Sequence, residues 1–223
     1  MSQELQYTFP IQSHVSFREE DYIVSSCNEE AFKWLMQWPD WGDSVYNRFT
    51  FLSGDFFSGK THLASIWQKY SGAIFIDREF ILNKQYVGKK ANYILENLEL
   101  TQELEIELFH FVNYMMDSGK CLVITSRVAL TNIQFSLKDL ESRLKAFAMV
   151  RIKEPDDELV TQVIIKYFSD HQISIGHDAV KFLKTRVDRS YKELFSVLDL
   201  LNKESLGQQK KISVNFIKDV LQI

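Results

Sequence analysis

Eight consecutive residues from Gly54 to Thr61, Gly-Asp-Phe-Phe-Ser-Gly-Lys-Thr, have the types and spacing of a loop that binds phosphate. The two glycines permit a tight turn whose backbone N–H groups point inward at an anion. Lys60 would place an ammonium on the outer phosphates, and the Thr61 hydroxyl would ligate Mg²⁺. The residues predicted to contact a nucleotide here are Gly54, Asp55, Phe56, Phe57, Ser58, Gly59, Lys60, Thr61 and His62. The alternative is an ordinary strand–turn–helix corner, which the flanking residues make the weaker explanation.

Two aromatic residues in the middle of this loop raise a specific question about its structure. Phe56 and Phe57 stand where small side chains would let phosphates approach closely. Either the loop is tighter than usual, or one of the rings turns outward toward a partner.

Apolar residues on both sides of the loop predict a strand before it and a helix after it. Residues 49–52 form a short apolar run typical of a buried strand, whereas apolar residues from 63 to 70 recur at helical spacing. Four more strands are predicted at 73–76, 93–95, 121–124 and 146–152, and helices at 31–37, 101–119 and 136–144. We expect Thr101 and Ser136 to cap the last two helices. This alternation predicts an α/β fold with a mostly parallel sheet covered by helices on both faces.

The strand pattern stops after Pro155, and only helical patterns follow. They predict helices over 156–169, 178–186, 190–206 and 213–221. The change near Glu154 predicts a boundary between an α/β domain over 14–153 and a small all-helical domain over 154–223.

The first residues, 1–13, are predicted to form an extended segment, because Pro10 disfavours helical backbone at Phe9. With Gln6, Phe9 and Ile11 as anchors, the segment suits docking into the groove of a partner. The alternative is an amino-terminal arm that packs on its own domain.

Composition and charge exclude several classes of protein. The 223 residues carry a net charge of −4, which argues against a large nonspecific nucleic-acid surface. The two cysteines lie far apart without the spacing of a metal site, which indicates a reduced cytoplasmic setting. No apolar run reaches membrane-spanning length, and the first residues lack a signal peptide, so we expect no membrane contact.

The order and spacing of several stretches resemble the AAA+ ATPases. The matching stretches are DYIVSSCNEEA, GDFFSGKTHLA, CLVITSR, LESRL followed by VRIKEPDDEL, and RSYKEL, which together span nearly the whole chain. Within that class the chain resembles the DnaA-related family, and most closely its short regulatory inactivators, the Hda branch. The resemblance implies a P-loop parallel sheet with a small carboxy-terminal helical lid. In initiators a DNA-reading domain follows the lid, and we expect none here because the chain ends within the lid.

The resemblance implies roles for residues around the loop. Ile23 and Val24 would border the adenine of a bound ADP or ATP, and Mg²⁺ would be held through Thr61. Glu96 would stand at the Walker B position, followed by Asn97 where a second acid is usual. Because an amide cannot act as a carboxylate base, hydrolysis by the chain itself should be weak or absent.

Further positions resemble the second acid site and the two sensors of the class. Asp77 ends an earlier predicted strand like a Walker B acid, but the strand order of such sheets favours Glu96. Ser126 or its neighbour Thr125 would be the first sensor, with simple capping of a strand end as the alternative. Lys192 would be the second sensor, where arginine is usual, and lysine lacks the bidentate fork of arginine.

Two more features concern partners. Arg143 in LESRL resembles an arginine finger, which offsets charge on a phosphoryl group held by a neighbouring molecule. Without the resemblance, a surface ion pair with Glu141 or Asp139 would be the simpler explanation. A short peptide near the amino terminus resembles the segment by which the regulatory branch binds the sliding clamp, through Gln6, Phe9, Pro10 and Ile11.

The resemblance therefore implies a nucleotide-bound regulator of chromosome replication initiation. It would bind the DNA-loaded sliding clamp and stimulate ATP hydrolysis by the initiator DnaA. It would contact DNA only through the clamp. Assembly into a homo-oligomer is possible. The alternatives are an autonomous AAA+ ATPase, such as a helicase loader, and a DnaA-like DNA-associated protein. The last would use a basic cluster of the lid made of Lys181, Lys184, Arg186, Arg189 and Lys192. Such a cluster is more often a solvated helix face.

Overall fold

A five-stranded parallel sheet lies at the centre of the chain, whose computed structural model describes residues 17–42 and 44–223. The strands are β1 (Phe49–Ser53), β2 (Ile74–Ile76), β3 (Tyr93–Leu95), β4 (Leu122–Ser126) and β5 (Ala148–Arg151). They pair in the order β2–β3–β4–β1–β5, so β4 separates β1 from β3. The carboxyl ends of β1 and β4 are in register, with Ser53 opposite Ser126. The loops that follow these strands therefore meet at one edge of the sheet.

Helices cover both faces of the sheet. On one face lie α1 (Glu29–Met36) and α2 (Lys60–Ser71), which pack on apolar side chains of β1, β3, β4 and β5. On the other lie α3 (Arg78–Leu82), α4 (Gln102–Ser118) and α5 (Lys138–Lys145). Every residue of β1 and β4 is buried, because both faces of these central strands are covered. The predicted parallel α/β sheet is confirmed.

The carboxy-terminal region is a bundle of helices with its own core. Its helices are α6 (Asp157–Asp170), α7 (His177–Lys184), α8 (Tyr191–Gln208) and α9 (Val214–Leu221). Ile164, Leu183, Leu198 and Ile217 are fully buried in that core. Side-chain oxygens of Asp156, Ser190 and Ser213 accept backbone N–H groups in the first turns of α6, α8 and α9, which fixes where these helices begin. The predicted helical lid is confirmed.

Two local predictions differ from the structure. Thr101 does cap α4, but Ser136 does not cap α5, which begins at Lys138. The buried carboxylate of Glu105 accepts the backbone N–H groups of Ser136, at 2.9 Å, and of Leu137, at 2.6 Å, just before α5. Helix α3, between β2 and β3, is an element for which the sequence pattern gave no prediction. Short 3₁₀ turns complete the described elements at Glu19–Asp21, Val45–Arg48 and Leu130–Asn132.

The predicted extended segment 1–13 lies outside the described residues. Across residues 17–42 and 44–223, no helix combines the length and the apolar character that crossing a membrane requires.

Candidate nucleotide-binding site

The loop between β1 and α2 has the backbone that its two glycines predict. A Cβ on Gly54 would lie 2.7 Å from Ser58 Oγ and 3.1 Å from both Cβ and the carbonyl oxygen of Ile152, so a larger side chain cannot fit without movement. Gly59 has a φ of +89°, and a Cβ there would meet the Tyr22 ring at 3.3 Å. Helix α2 begins immediately afterwards, at Lys60. Its unpaired first N–H groups and its positive dipole end therefore face the loop, which suits an anion.

Lys60 is buried and directed at the loop itself. Its ammonium donates to the carbonyl oxygens of Gly54 at 2.8 Å and Asp55 at 2.7 Å, and lies 3.4 Å from Ser58 Oγ. Burial and, next, the positive charge of Arg127 lower the pKa of Lys60 to about 8, against the opposing effect of nearby carboxylates. The site therefore holds a desolvated cation that an incoming phosphate would stabilise.

Glu96, and not Asp77, lies next to the loop. The Thr61 hydroxyl donates a hydrogen bond to the Glu96 carboxylate, which follows the end of β3. Asp77 instead caps α3 by accepting the N–H of Phe80 at 2.9 Å, beyond the edge strand β2. A hydroxyl and a carboxylate side by side are hard oxygen donors of the kind that Mg²⁺ prefers, so this pair fits the metal of a bound nucleotide.

Phe56 and Phe57 both turn outward, so neither ring fills the loop. They are 44% and 53% exposed, and their ring centroids lie 4.2 Å apart. The Phe56 ring lies under the Arg127 guanidinium at 4.7 Å, and Phe57 contacts Phe195 of α8 at 5.4 Å. The outward arrangement requires a left-handed backbone at Phe57, where φ is +63°.

The end of β4 joins the loop after β1 to the loop after β3. The Ser126 carbonyl accepts the N–H of Gly54 at 3.2 Å, and the buried Ser126 hydroxyl accepts the N–H of Val128 at 3.2 Å. The Thr125 hydroxyl accepts the N–H of Asn97 at 2.9 Å. Both residues predicted as first-sensor candidates thus lie at the carboxyl end of β4, fully buried, with their hydroxyls engaged by backbone groups.

The residues predicted to border adenine lie beside Gly59. Tyr22 packs on that glycine, and the Asn28 side chain holds the Ile23 carbonyl at 2.9 Å, with Val24 exposed. His62 faces this segment and not the phosphate loop. Its Nε2 donates to the Arg18 carbonyl at 2.7 Å, and burial lowers its pKa, so the ring is neutral at pH 7.

The lid reaches the site through the first turns of α8. Lys192 is exposed there, next to buried Tyr191. The Tyr191 hydroxyl lies 3.5 Å from Cys27 Sγ and 3.4 Å from the Lys153 carbonyl. The predicted second-sensor residue, Lys192, therefore lies in a turn whose Tyr191 contacts the α/β region.

Arg143 is not brought to this site. It lies two residues before the end of α5, which leads directly into β5, and its guanidinium donates to Met116 Sδ at 3.4 Å. Met116 in turn lies near the end of α4, which leads into β4. Arg143 therefore lies toward the amino ends of the strands, at the edge opposite the phosphate loop. The predicted clamp-binding residues Gln6, Phe9, Pro10 and Ile11 lie outside the described residues.

Sequence reasoning missed three side chains of the site. Arg127 directly follows a central strand at its carboxyl end, and that position alone was a usable signal. Tyr22 precedes the predicted adenine-bordering pair. Phe195 left no signal, because its contact with Phe57 joins residues far apart in the chain.

Comparison with known proteins gives one family match and several relatives. Residues 157–221 match the family described as Hda, lid domain. An uncharacterized protein of Haemophilus influenzae is 28% identical over 198 residues, covering 78% of this chain and 82% of that protein. The chromosomal replication initiator DnaA of Buchnera aphidicola is 25% identical over 240 residues, covering 97% of this chain. The chain spans about half of that initiator, 52% of its length.

Solved structures share the fold. Domain III of the Thermotoga maritima replication initiation protein DnaA superimposes with a TM-score of 0.76 at 19% identity, covering 92% of this chain and 95% of that one. AMPPCP-bound DnaA from Aquifex aeolicus gives a TM-score of 0.65 at 16% identity, covering 85% of this chain and 68% of that one. The described sheet and lid thus have the fold of these DnaA structures.

Proposed function

We propose a specific role for this chain, which is a DnaA-related AAA+ protein close to Hda. It is a nucleotide-bound regulator of replication initiation that stimulates ATP hydrolysis by the initiator DnaA in trans. It acts in the cytoplasm while bound to the DNA-loaded sliding clamp. Nucleotide in its own crevice serves to hold the contact surface in shape.

The observation that carries this proposal is the separation of Arg143 from the phosphate loop. The two lie toward opposite edges of one sheet, so Arg143 cannot serve a nucleotide held by Lys60 of the same molecule. A partly exposed guanidinium at the far edge suits a phosphoryl group on a neighbouring molecule. Such a residue raises the rate of phosphoryl transfer by about 10³- to 10⁵-fold.

The crevice itself supports binding better than turnover. Lys60 would bind the outer phosphates of ADP or ATP, and Thr61 and Glu96 would hold Mg²⁺. Asn97, which follows Glu96, offers an amide where hydrolysis needs a carboxylate to activate water. The metal and nucleotide would supply charge and bridging oxygens, and the chain would supply their positions.

The clamp contact is assigned to Gln6, Phe9, Pro10 and Ile11 because a short extended peptide with apolar anchors suits a groove. Direct binding to DNA has weaker support. In the basic cluster of the lid, Lys184 and Arg189 pair with Asp157 at 3.2 and 3.1 Å, which offsets part of the charge that phosphates would need.

The test is a reconstituted assay of ATP hydrolysis by DnaA with the clamp loaded on DNA. Arg143→Ala should remove most of the stimulation, and Arg143→Lys should restore little of it, because a lysine lacks the planar fork. Lys145→Ala is the matched control: it removes a cation from the same helix, one that pairs with Glu141 at 2.8 Å. Nucleotide binding by the variants should be unchanged.

If the Arg143→Ala variant stimulates ATP hydrolysis by DnaA as much as the wild type does, the role of Arg143 in trans is refuted. ATP turnover by the purified chain alone, abolished by Lys60→Ala, would instead establish an autonomous ATPase. A clamp pull-down with and without residues 1–13 tests the second contact separately.

A further inference from the structure

We infer that Arg48 is a second cation for the nucleotide of the neighbouring molecule, where it contacts the same phosphoryl group as Arg143. The inference rests on the proposed function and adds a residue to it. Arg48 directly precedes β1 and lies outside the sequence stretches that predicted the nucleotide site and the arginine finger.

The start of β1 places Arg48 near the helix that carries Arg143. Phe49, the first residue of β1, is opposite Leu122 at the start of β4. The Phe49 ring also stacks on Phe147, between α5 and β5, at 4.9 Å. Arg48, which is half-buried, therefore lies at the amino edge of the sheet, between the start of β4 and the end of α5.

Both guanidinium groups contact the last turn of α4. The Arg143 guanidinium donates to Met116 Sδ at 3.4 Å. Arg48 Nη1 lies 3.4 Å from the position that a Cβ on Gly119 would take. Gly119 ends α4 and donates its N–H to the Met116 carbonyl, so the two contact points are one helical turn apart, about 5–6 Å. Two arginine side chains from different elements thus converge on one small area.

No carboxylate of the described residues neutralises this pair. Across residues 17–42 and 44–223, neither Arg48 nor Arg143 forms an ion pair. The negative dipole end of α4 offers only a fractional charge, which a single cation already complements. A second like charge beside the first adds repulsion. An anion with several oxygens would remove that repulsion and could accept hydrogen bonds from both planar guanidinium groups.

The proposed function supplies an anion of this kind. The terminal phosphoryl group of ATP bound to DnaA carries negative charge on several oxygens in the transition state. A phosphate of the DNA that carries the clamp has similar oxygens. The shared contact surface on α4 favours the nucleotide, because Arg143, one helical turn away, is the residue assigned to that phosphoryl group.

The test is the reconstituted assay of DnaA hydrolysis, run over a range of concentrations of this chain. Arg48→Ala should lower the maximal stimulated rate about 10- to 100-fold, the size expected of a hydrogen bond to a charged group. The concentration that gives half-maximal stimulation should change less than about threefold, because the contact strengthens in the transition state. Arg48→Lys should recover part of the rate, since it keeps the charge without the fork. Lys145→Ala, whose ammonium pairs with Glu141 at 2.8 Å, is the matched control at the same edge.

Two further measurements separate contact from structural damage. The urea midpoint of unfolding and the affinity of the chain for ADP should be the same in Arg48→Lys and the wild type. If Arg48 serves only to cap α4, the maximal rate should fall in proportion to the loss of folded protein, which would overturn the inference.

A dependence on DNA would overturn it in a different way. A half-maximal concentration that rises in Arg48→Ala, at an unchanged maximal rate, and a salt dependence weaker than that of the wild type would assign Arg48 to DNA phosphates. An unchanged rate in Arg48→Ala, together with lost stimulation in Arg143→Ala, would refute the role of Arg48 alone. Wild-type stimulation by Arg143→Ala would refute the proposed function, and the inference with it.

Discussion

Nucleotide affinity should depend on pH through Lys60. In the free protein this ammonium is buried among carbonyl oxygens of its own loop, and its pKa is lowered to about 8. Phosphate binds the protonated form and raises the pKa again, because an anion stabilises the adjacent cation. Binding above pH 8 must therefore take up a proton, and affinity must fall as pH rises. Below about pH 7 both states are protonated, and this dependence disappears.

The size of the effect follows from the fraction of Lys60 that is protonated. With a pKa of about 8, ADP binding should weaken about twofold at pH 8 and about tenfold at pH 9, relative to pH 7. The tenfold loss corresponds to about 1.4 kcal/mol. Phosphate groups of nucleotides ionise near pH 6, so the ligand itself is constant over this range.

The assay is calorimetry with ADP and Mg²⁺ between pH 7 and 9.5, in two buffers with different ionisation enthalpies. Proton uptake should be close to zero at pH 7 and approach one per site at pH 9. Lys60→Arg keeps its charge throughout and should give a flat profile, whatever its overall affinity. A wild-type affinity that stays constant up to pH 9.5 would refute the description of Lys60.

Two stability measurements test the framework around the site. Gly54→Ala should destabilise the fold by about 1–3 kcal/mol in urea denaturation, because the added Cβ would clash with Ser58 and Ile152. Gly207→Ala in helix α8 should stabilise the fold by about 0.5 kcal/mol, because its Cβ would meet no atom within 4 Å. The reverse ranking of the two variants would contradict this packing. Asp156→Ala should cost about 1 kcal/mol at pH 7 through loss of the α6 cap, and Asp156→Asn less. Although burial alone would raise the pKa of Asp156, hydrogen bonds from Leu159 N–H and the Ser26 hydroxyl hold it below its usual value, so the part of this contribution that depends on charge should be lost as pH falls below about 4. A gap between wild type and Asp156→Ala that does not narrow between about pH 7 and about pH 2–3 would contradict that reasoning.

Local sequence patterns predicted the elements of the fold because their causes are local. Strand β3 and the Thr101 cap of α4 depend on neighbouring residues, and the phosphate loop depends on the spacing of its own glycines. The error at Ser136 has the opposite cause. Glu105, which is 31 residues earlier in the chain, accepts the N–H groups of Ser136 and Leu137 at the start of α5. No rule that considers adjacent residues could have included that carboxylate.

The same division applies to the candidate site. Thr61 and Glu96 could be paired from sequence because the expected strand order places the ends of β1 and β3 at one edge. The outward orientation of both the Phe56 and the Phe57 ring could not be predicted from sequence, because each ring is held by a side chain from another loop or helix. Arg127 was missed for the same reason, because its contact with Phe56 joins two different loops.

The contacts described above between the lid and the α/β region lie at the phosphate loop and next to it. Phe57 of the loop touches Phe195 of α8, and Tyr191 at the start of the same helix reaches Cys27. In the proposed function, a nucleotide that orders the loop would also stabilise the position of α8 against the sheet, because Phe57 and Phe195 share one contact. Binding energy used in this way would fix a shape without accelerating a reaction in the same crevice. Such a role, binding without turnover, would agree with Asn97, because its amide follows Glu96 where turnover would need a second carboxylate.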